Sequence, residues 1–282
     1  MSKSPGPASL RTPILLIGGL DPSGGAGLTL DTAVARGLGL HPLPVLTTLA
    51  IQNTSGVVSR ADVSANDLQQ QLATLKTEYA VGGVKIGLLP TAEHIQIVLG
   101  WLKQNQPPAV VLDPVMASGS GDTLVDPDQL SALKDLMSWV TILTPNVPEA
   151  MALAPATSIH ADNTFEVMHA LQAQGPRGVY LKGGHLTASP GNDFFLFDDE
   201  SCCLLPTQVH SRNIRGTGCA LATHLACSLA LGASPLDAAA RAKEFMNREL
   251  SKAYASGQGL YLQISDSPEA SEAAAAAVSP HD

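Results

Sequence analysis

Apolar residues come in short unbroken runs closed by glycine or polar residues, alternating with longer segments in which they recur every three or four positions. The runs 13–19 (PILLIGG), 42–49, 83–87 (GVKIG), 109–115 (AVVLDPV), 140–144 and 178–181 have the length of strands buried on both faces. A helical stretch follows the first run and ends near residue 38. Ser64 and Asp67 have capping-box spacing ahead of Leu68, Leu72, Leu75 and Tyr79, which share one helical face. Residues 90–103 predict a helix with Ile95, Val98, Leu99 and Leu102 inward, 128–137 another, and Ser234, Pro235 and Asp237 open a last long one. Segments 194–197 and 203–205 read as antiparallel strands. The alternation predicts an α/β fold, a three-layer α/β/α sandwich around a mostly parallel sheet with right-handed crossovers. One domain is expected over 13–265. Flanking it, 1–12 is rich in Ser and Pro and 266–282 in Ala, Ser, Pro and acidic residues, both expected to be disordered tails.

In a parallel sheet the ligand crevice lies beyond the carboxyl ends of the strands. The segments DPSGGAG, AIQNT, KIGLL, DPVMASGSGD, TPNVPEA, LKGGH and RGTGC each follow a strand, which lines them up on one edge. The last carries the sharpest chemistry. Gly216 and Gly218 permit turns closed to other residues, and Gly216, Thr217, Gly218 and Cys219 open a helix whose free N–H groups and dipole suit an anion. Cys219 in that field is expected to ionise below the usual thiol value of about 8.5. The alternative is a glycine turn before a buried helix carrying an inert thiol.

Lys182 ends its strand beside two glycines, placed as a point charge for phosphate or as a solvated edge lysine. Asp113, Asn146 and Glu149 are hard oxygen donors at strand ends, suited to Mg²⁺, though Asn146 and Glu149 could instead cap a helix. Gln52 can read a heterocycle edge or simply meet water. Asp21 can accept from a ligand or fix its own turn. His185, His210 and His224 lack zinc-type spacing and read as structural.

Composition narrows the class. The chain has 282 residues, a formal charge of −9, 45% apolar and 15% charged residues, and four cysteines without metal-ligand spacing. That charge disfavours a nucleic-acid partner. No apolar stretch reaches the roughly 18 residues that span a bilayer, so no membrane partner is expected either. A reduced, cytoplasmic location fits.

Taken together, LDPSGGAG with Asp31 after it, AIQNTSGV, VKIGLL, VVLDPVM with SGDTL, ILTPNVPEA, LKGGH and GTGC resemble, in order and spacing, the hydroxymethylpyrimidine/phosphomethylpyrimidine kinases of thiamine biosynthesis. These are ribokinase-like proteins, and the resemblance covers about residues 13–232. It implies ATP- and Mg²⁺-dependent phosphorylation of 4-amino-5-hydroxymethyl-2-methylpyrimidine and then of its monophosphate, by a homodimer. It further implies that Gln52 and Asp21 hold the pyrimidine, that Ala26, Ala50, Leu88 and Val115 wall its pocket, and that Lys182 contacts the transferring phosphate. Asp113, Asn146 and Glu149 would organise Mg²⁺. Cys219 would take the place of the aspartate base of related sugar kinases. The sequence departs from the family pattern at Arg215 (commonly His), at Ala220 and Ala222 (Thr and Ser), at Leu88 (Met), at Ala33 (Lys) and in the ending GQGLYLQ. The rival readings are a pyridoxal kinase of the same branch and a non-catalytic pyrimidine-binding protein.

Overall fold

The computed structural model describes residues 10–53, 56–116, 127–154, 163–185, 191–205 and 214–265. Most of each predicted tail, together with Thr54, the SGDTL segment and His210, lies outside them, as does the side chain of His185.

The chain opens with β1 (Pro13–Leu20), α1 (Gly27–Gly37), β2 (His41–Asn53), β3 (Gly56–Asp62), α2 (Ala65–Lys76) and β4 (Gly83–Ile86). It continues through α3 (Ala92–Asn105), β5 (Val110–Leu112), α4 (Pro127–Met137), β6 (Ile142–Leu143), α5 (Val147–Leu153), α6 (Thr164–Gln172) and β7 (Gly178–Leu181). The last part holds β8 (Asp193–Phe197), β9 (Glu200–Leu204), β10 (Ile214–Arg215), α7 (Thr217–Ala230), α8 (Pro235–Ser251), β11 (Tyr254–Ser256) and β12 (Gly259–Tyr261).

Nine strands form one sheet in the order β3-β2-β1-β4-β5-β6-β7-β8-β9. The six from β2 to β7 are parallel, while β3, β8 and β9 run antiparallel at the edges. The buried runs explain the parallel centre: Ile14, Leu16 and Ile17 are wholly buried and Leu15 nearly so, filling both faces of β1 at once. On one face Leu15, Ile17, Val84 and Ile86 pack with α2 to α6. On the other, Ile14, Leu16, Val111 and Ile142 pack with α1, α7 and α8. These are the three layers the sequence pattern predicts. The side-chain oxygens of Ser64, Thr91 and Ser234 accept from the backbone N–H groups of Asp67, His94 and Asp237, fixing where α2, α3 and α8 begin. Among the described residues no helix is long and apolar enough to cross a membrane.

Two features depart from the sequence reading. The strand expected over 42–49 runs on to Asn53 and turns back as β3, so Gln52 lies in a hairpin rather than in a loop at a strand end. Pro42 and Pro44 are tolerated because they fall in the half of β2 whose sole strand neighbour is β1. A small second sheet, β10-β12-β11, joins residues 214–215, just ahead of α7, to residues 254–261 near the end of the described chain.

The chain leaves β1 for β2 on one side and later crosses to β4 on the other. The loops after β1 and β4 therefore diverge and open a crevice between them.

Candidate active site

That crevice is a cavity of roughly 300 Å³, lined by residues from the carboxyl ends of β1, β2, β4 and β5 and from the start of α7. Every site residue singled out in the sequence borders it: Asp21, Ala26, Ala50, Gln52, Leu88, Asp113, Val115, Asn146, Glu149, Lys182, Gly216, Thr217, Gly218 and Cys219.

Two glycines hold the walls together. Gly216, with φ +76°, precedes α7, and a Cβ there would overlap the carbonyl oxygen of Gly25. Gly27, with φ +60°, opens α1 under the carbonyl oxygen of Gly19, with the same result. The first contact presses residues far apart in sequence backbone to backbone, and the second folds the loop after β1 back on its own strand. The residue ahead of α7, Gly216, has no side chain with which to cap it, and residues 216–219 line the cavity. A Cβ on Gly218 would stand 3.3 Å from Lys182 Nζ and 3.6 Å from Asp113 Oδ2, so the open helix start and the charged cluster share one gap.

Lys182 Nζ donates to Asp113 Oδ1 at 2.6 Å and lies 3.6 Å from Glu149 Oε2. Burial alone would lower its pKa, but the two carboxylates outweigh burial and raise it, so the amine stays charged. Burial raises the pKa of Glu149, against the pull of Lys182. Behind Lys182, Asp193 accepts from the Gly183 N–H at 2.9 Å, Tyr180 Oη at 3.0 Å and Lys243 Nζ at 2.8 Å, which anchors the turn carrying the lysine.

The capping alternative for Asn146 is the one realised. Its Oδ1 accepts from the Glu149 N–H at 2.9 Å while Glu149 Oε2 accepts from the Asn146 N–H at 2.7 Å, a reciprocal box at the start of α5. Asn146 Oδ1 spends one lone pair on this cap and keeps the other, and the residue still borders the cavity. Among the described residues no group of three His, Cys, Asp or Glu side chains is placed to enclose a metal. Asp113 and Glu149 are two hard carboxylates on the cavity wall, enough for a Mg²⁺ that keeps most of its waters.

Asp21 likewise serves its own turn. Its Oδ1 accepts from the Ser23 N–H and its Oδ2 from the Ser23 hydroxyl, both at 2.9 Å, and Arg215 Nη2 stands 3.4 Å from Oδ2. The expected pyrimidine contact would have to share a carboxylate already held by two groups and an ion pair. On the same wall Thr47 Oγ1 donates to the Leu88 carbonyl at 2.7 Å, which fixes the loop after β4 against β2.

Cys219 corrects the expectation of an easily ionised thiol. Burial pushes it up to about 11; Lys85 and the Gly27 N–H pull the other way, while Asp31 and Asp113 add to the rise. The nearby ammonium and the Gly27 N–H do not overcome the loss of water around the sulfur. Lys85 is the residue that sequence reasoning missed. It is 1% exposed, borders the cavity, and donates to Asp31 Oδ2 at 2.7 Å, while Thr223 Oγ1 donates to Asp31 Oδ1 at 2.9 Å. Its signal was a lysine inside a four-residue strand otherwise made for the core. His224, read as structural, is buried and stacked on Phe245 at 4.5 Å. All four cysteines are free.

An anion-seeking helix start facing a charged lysine and two carboxylates, at the switch point of a three-layer α/β/α sheet, defines a small-molecule kinase of the ribokinase-like class. Residues 21–263 match the family model described as phosphomethylpyrimidine kinase, and the chain belongs to that family. The hydroxymethylpyrimidine/phosphomethylpyrimidine kinase of Rhizobium meliloti is 35% identical over 85% of this chain and 90% of its own length. A thiamine biosynthesis multifunctional protein of Corynebacterium efficiens is also 35% identical, over 90% of this chain, which spans about a third (34%) of that longer protein. Among solved structures, phosphomethylpyrimidine kinase of Clostridium difficile superposes with a TM-score of 0.76 at 29% identity, covering 85% of this chain and all (100%) of that one. Pyridoxal kinase of Bacillus subtilis gives a TM-score of 0.80 at 25% identity, covering 92% and 98%.

Proposed function

We propose that this chain transfers the terminal phosphoryl group of ATP to the hydroxymethyl oxygen of 4-amino-5-hydroxymethyl-2-methylpyrimidine, and then to the phosphate of the resulting monophosphate, in thiamine diphosphate biosynthesis. The observation that carries the reading is the meeting of Cys219, Lys182 and the uncapped start of α7 in one cleft. Ala26, Ala50, Val57, Leu88 and Val115 offer a flat apolar slot on the acceptor side, with Gln52 as the amide that reads the ring edge.

Cys219 holds its proton at neutral pH, so it orients the hydroxymethyl group by hydrogen bonding instead of waiting as a free thiolate. To act as base the thiol must first give up that proton to solvent; the thiolate, with Lys85 and the Gly27 N–H beside it, then takes the hydroxymethyl proton as the new oxygen–phosphorus bond forms and the bond to the departing ADP breaks. Phosphoryl transfer runs through a loose transition state and asks little of a base until late. The amides of Thr217, Gly218 and Cys219 and the Lys182 ammonium supply the larger effect, stabilising charge on the moving group. Mg²⁺, where bound, neutralises phosphate charge, and Asp113 and Glu149 are the side chains that would hold it and its waters.

Cys219→Ser tests this reading. Turnover of the hydroxymethylpyrimidine is expected to fall about 100-fold or more while the dissociation constant of a non-hydrolysable ATP analogue stays within about threefold. Unchanged turnover would refute the role of the thiol. The likeness to pyridoxal kinases makes pyridoxal the control acceptor, and a large preference for it would reassign the substrate. A binding protein without catalysis would consume no ATP, and it leaves the shared cleft of Cys219 and Lys182 without a purpose.

A further inference from the structure

Arg215 borders this cleft and has no part in the scheme above. It ends β10, opposite Tyr261 of β12, and a Cβ on Gly25 would lie 3.3 Å from its own Cβ. Its backbone is therefore clamped, and its side chain, 19% exposed, points to the acceptor wall. The contacts it finds there are poor. Nη2 donates to Asp21 Oδ2 at 3.4 Å and Nη1 to the Asn53 carbonyl at 3.5 Å, both at the outer limit of hydrogen bonding. Asp21 is better served by Ser23 at 2.9 Å. Nε is buried and, among the described residues, has no partner at all. A guanidinium carries five donors in a rigid fork, and a buried donor left without a partner is unfavourable. What this group lacks is an anion with two acceptor oxygens.

Two kinds of phosphate come to a kinase cleft, those of the nucleotide and, for a monophosphate acceptor, that of the substrate. The first has the start of α7 and Lys182. Arg215 stands instead with Asp21 and the β2–β3 hairpin, on the side of Ala50 and Gln52. We infer that Arg215 binds the phosphate of the pyrimidine monophosphate and favours the second phosphorylation over the first, an inference that rests on the function proposed above. With the uncharged alcohol in place, Asp21 balances the guanidinium. The monophosphate brings nearly two negative charges within reach, and the fork exchanges long contacts for short charge-assisted ones.

The test compares both acceptors in the full chain, the Arg215→Gln variant and the Arg215→Lys variant, with melting curves to establish that each is folded. Arg215→Gln is expected to raise KM for the monophosphate about tenfold more than KM for the alcohol, with KM for ATP shifting by less than about threefold. Arg215→Lys, which keeps the charge and loses the fork, should recover part of that loss. Equal changes for the two acceptors, as a purely structural arginine would give, overturn the inference, and so does a rise confined to ATP. If the unaltered chain phosphorylates the alcohol and rejects the monophosphate, this inference fails while the first step stands. If it phosphorylates neither, the proposed function itself fails.

Discussion

Replacing Lys85 by methionine probes the buried pair on which the back of the cleft rests. Lys85 Nζ and Asp31 Oδ2 are 2.7 Å apart with 1% and 0% of their side chains exposed. The substitution leaves Asp31 enclosed, with the Thr223 hydroxyl as its remaining side-chain donor among the described residues. Removing one member of such a pair costs about 3–5 kcal/mol, chiefly through the charge left behind. At roughly 2–4 °C per kcal/mol for a chain of this size, the melting temperature should fall by about 6–20 °C at pH 7. The deficit has a pH signature. Burial already raises the Asp31 pKa, and Lys85 is the main influence holding it down, so losing the lysine raises it further. A carboxyl whose folded pKa lies above its unfolded value of about 3.9 adds stability at low pH and loses it as pH rises. The variant should therefore recover part of its deficit as pH falls from 7 toward the unfolded carboxyl value of about 3.9. The double variant Lys85→Met with Asp31→Leu removes both charges and should regain most of the loss, short of about 1 kcal/mol for the stranded Thr223 hydroxyl. Calorimetry on the parent, Lys85→Met, Asp31→Leu and the double variant closes the cycle. A single variant melting within about 2 °C of the parent, or a double variant no better than the single, would refute the reasoning.

Gly218→Ala separates stability from turnover. Helix propensity favours alanine by up to about 1 kcal/mol, so melting should hold or rise, yet the added methyl would sit 3.3 Å from Lys182 Nζ in the gap assigned to phosphate, and turnover should fall about tenfold or more. Full turnover in that variant would move the phosphate elsewhere. His224 should show as an acid limb in stability. Burial, with Arg248 and Arg241 nearby, pushes its pKa down to about 3, so the unfolded chain binds a proton that the folded one refuses as pH falls below about 6.5. Stability should drop between those values, and His224→Leu should flatten the slope; an unchanged slope would show that other groups set it.

The centre of the sheet and the edge that carries the site were legible because continuous apolar runs force strands buried on both faces, and the loops of such a sheet share one end. The hairpin was not. Residues 56–62 (GVVSRAD) are mostly exposed, so no alternation marks β3, and the strand exists because β2 offers it an open edge. Asp21 and Asn146 each make the local bonds that their spacing allows while also bordering the cavity, since a neighbour two or three residues away is always within reach. Cys219 was misjudged in its ionisation because a helix start can be read from glycines, whereas the depth of burial depends on what the rest of the chain lays over it. Lys85 and Asp31 are 54 residues apart, and no short-range pattern couples them.

The close seat of Gly216 against Gly25, which leaves no room for a Cβ, bears on how the protein is born. β1 lies in the middle of the sheet, and Ile14 and Leu16 are covered in part by α7, whose residues come some two hundred positions later. At about 5–20 residues per second, a ribosome leaves that first strand uncovered on one side for roughly 10–40 s. Until α7 emerges the nascent chain has strands and helices but no phosphate cradle, so a message cut short before residue 216 yields apolar surface and no kinase.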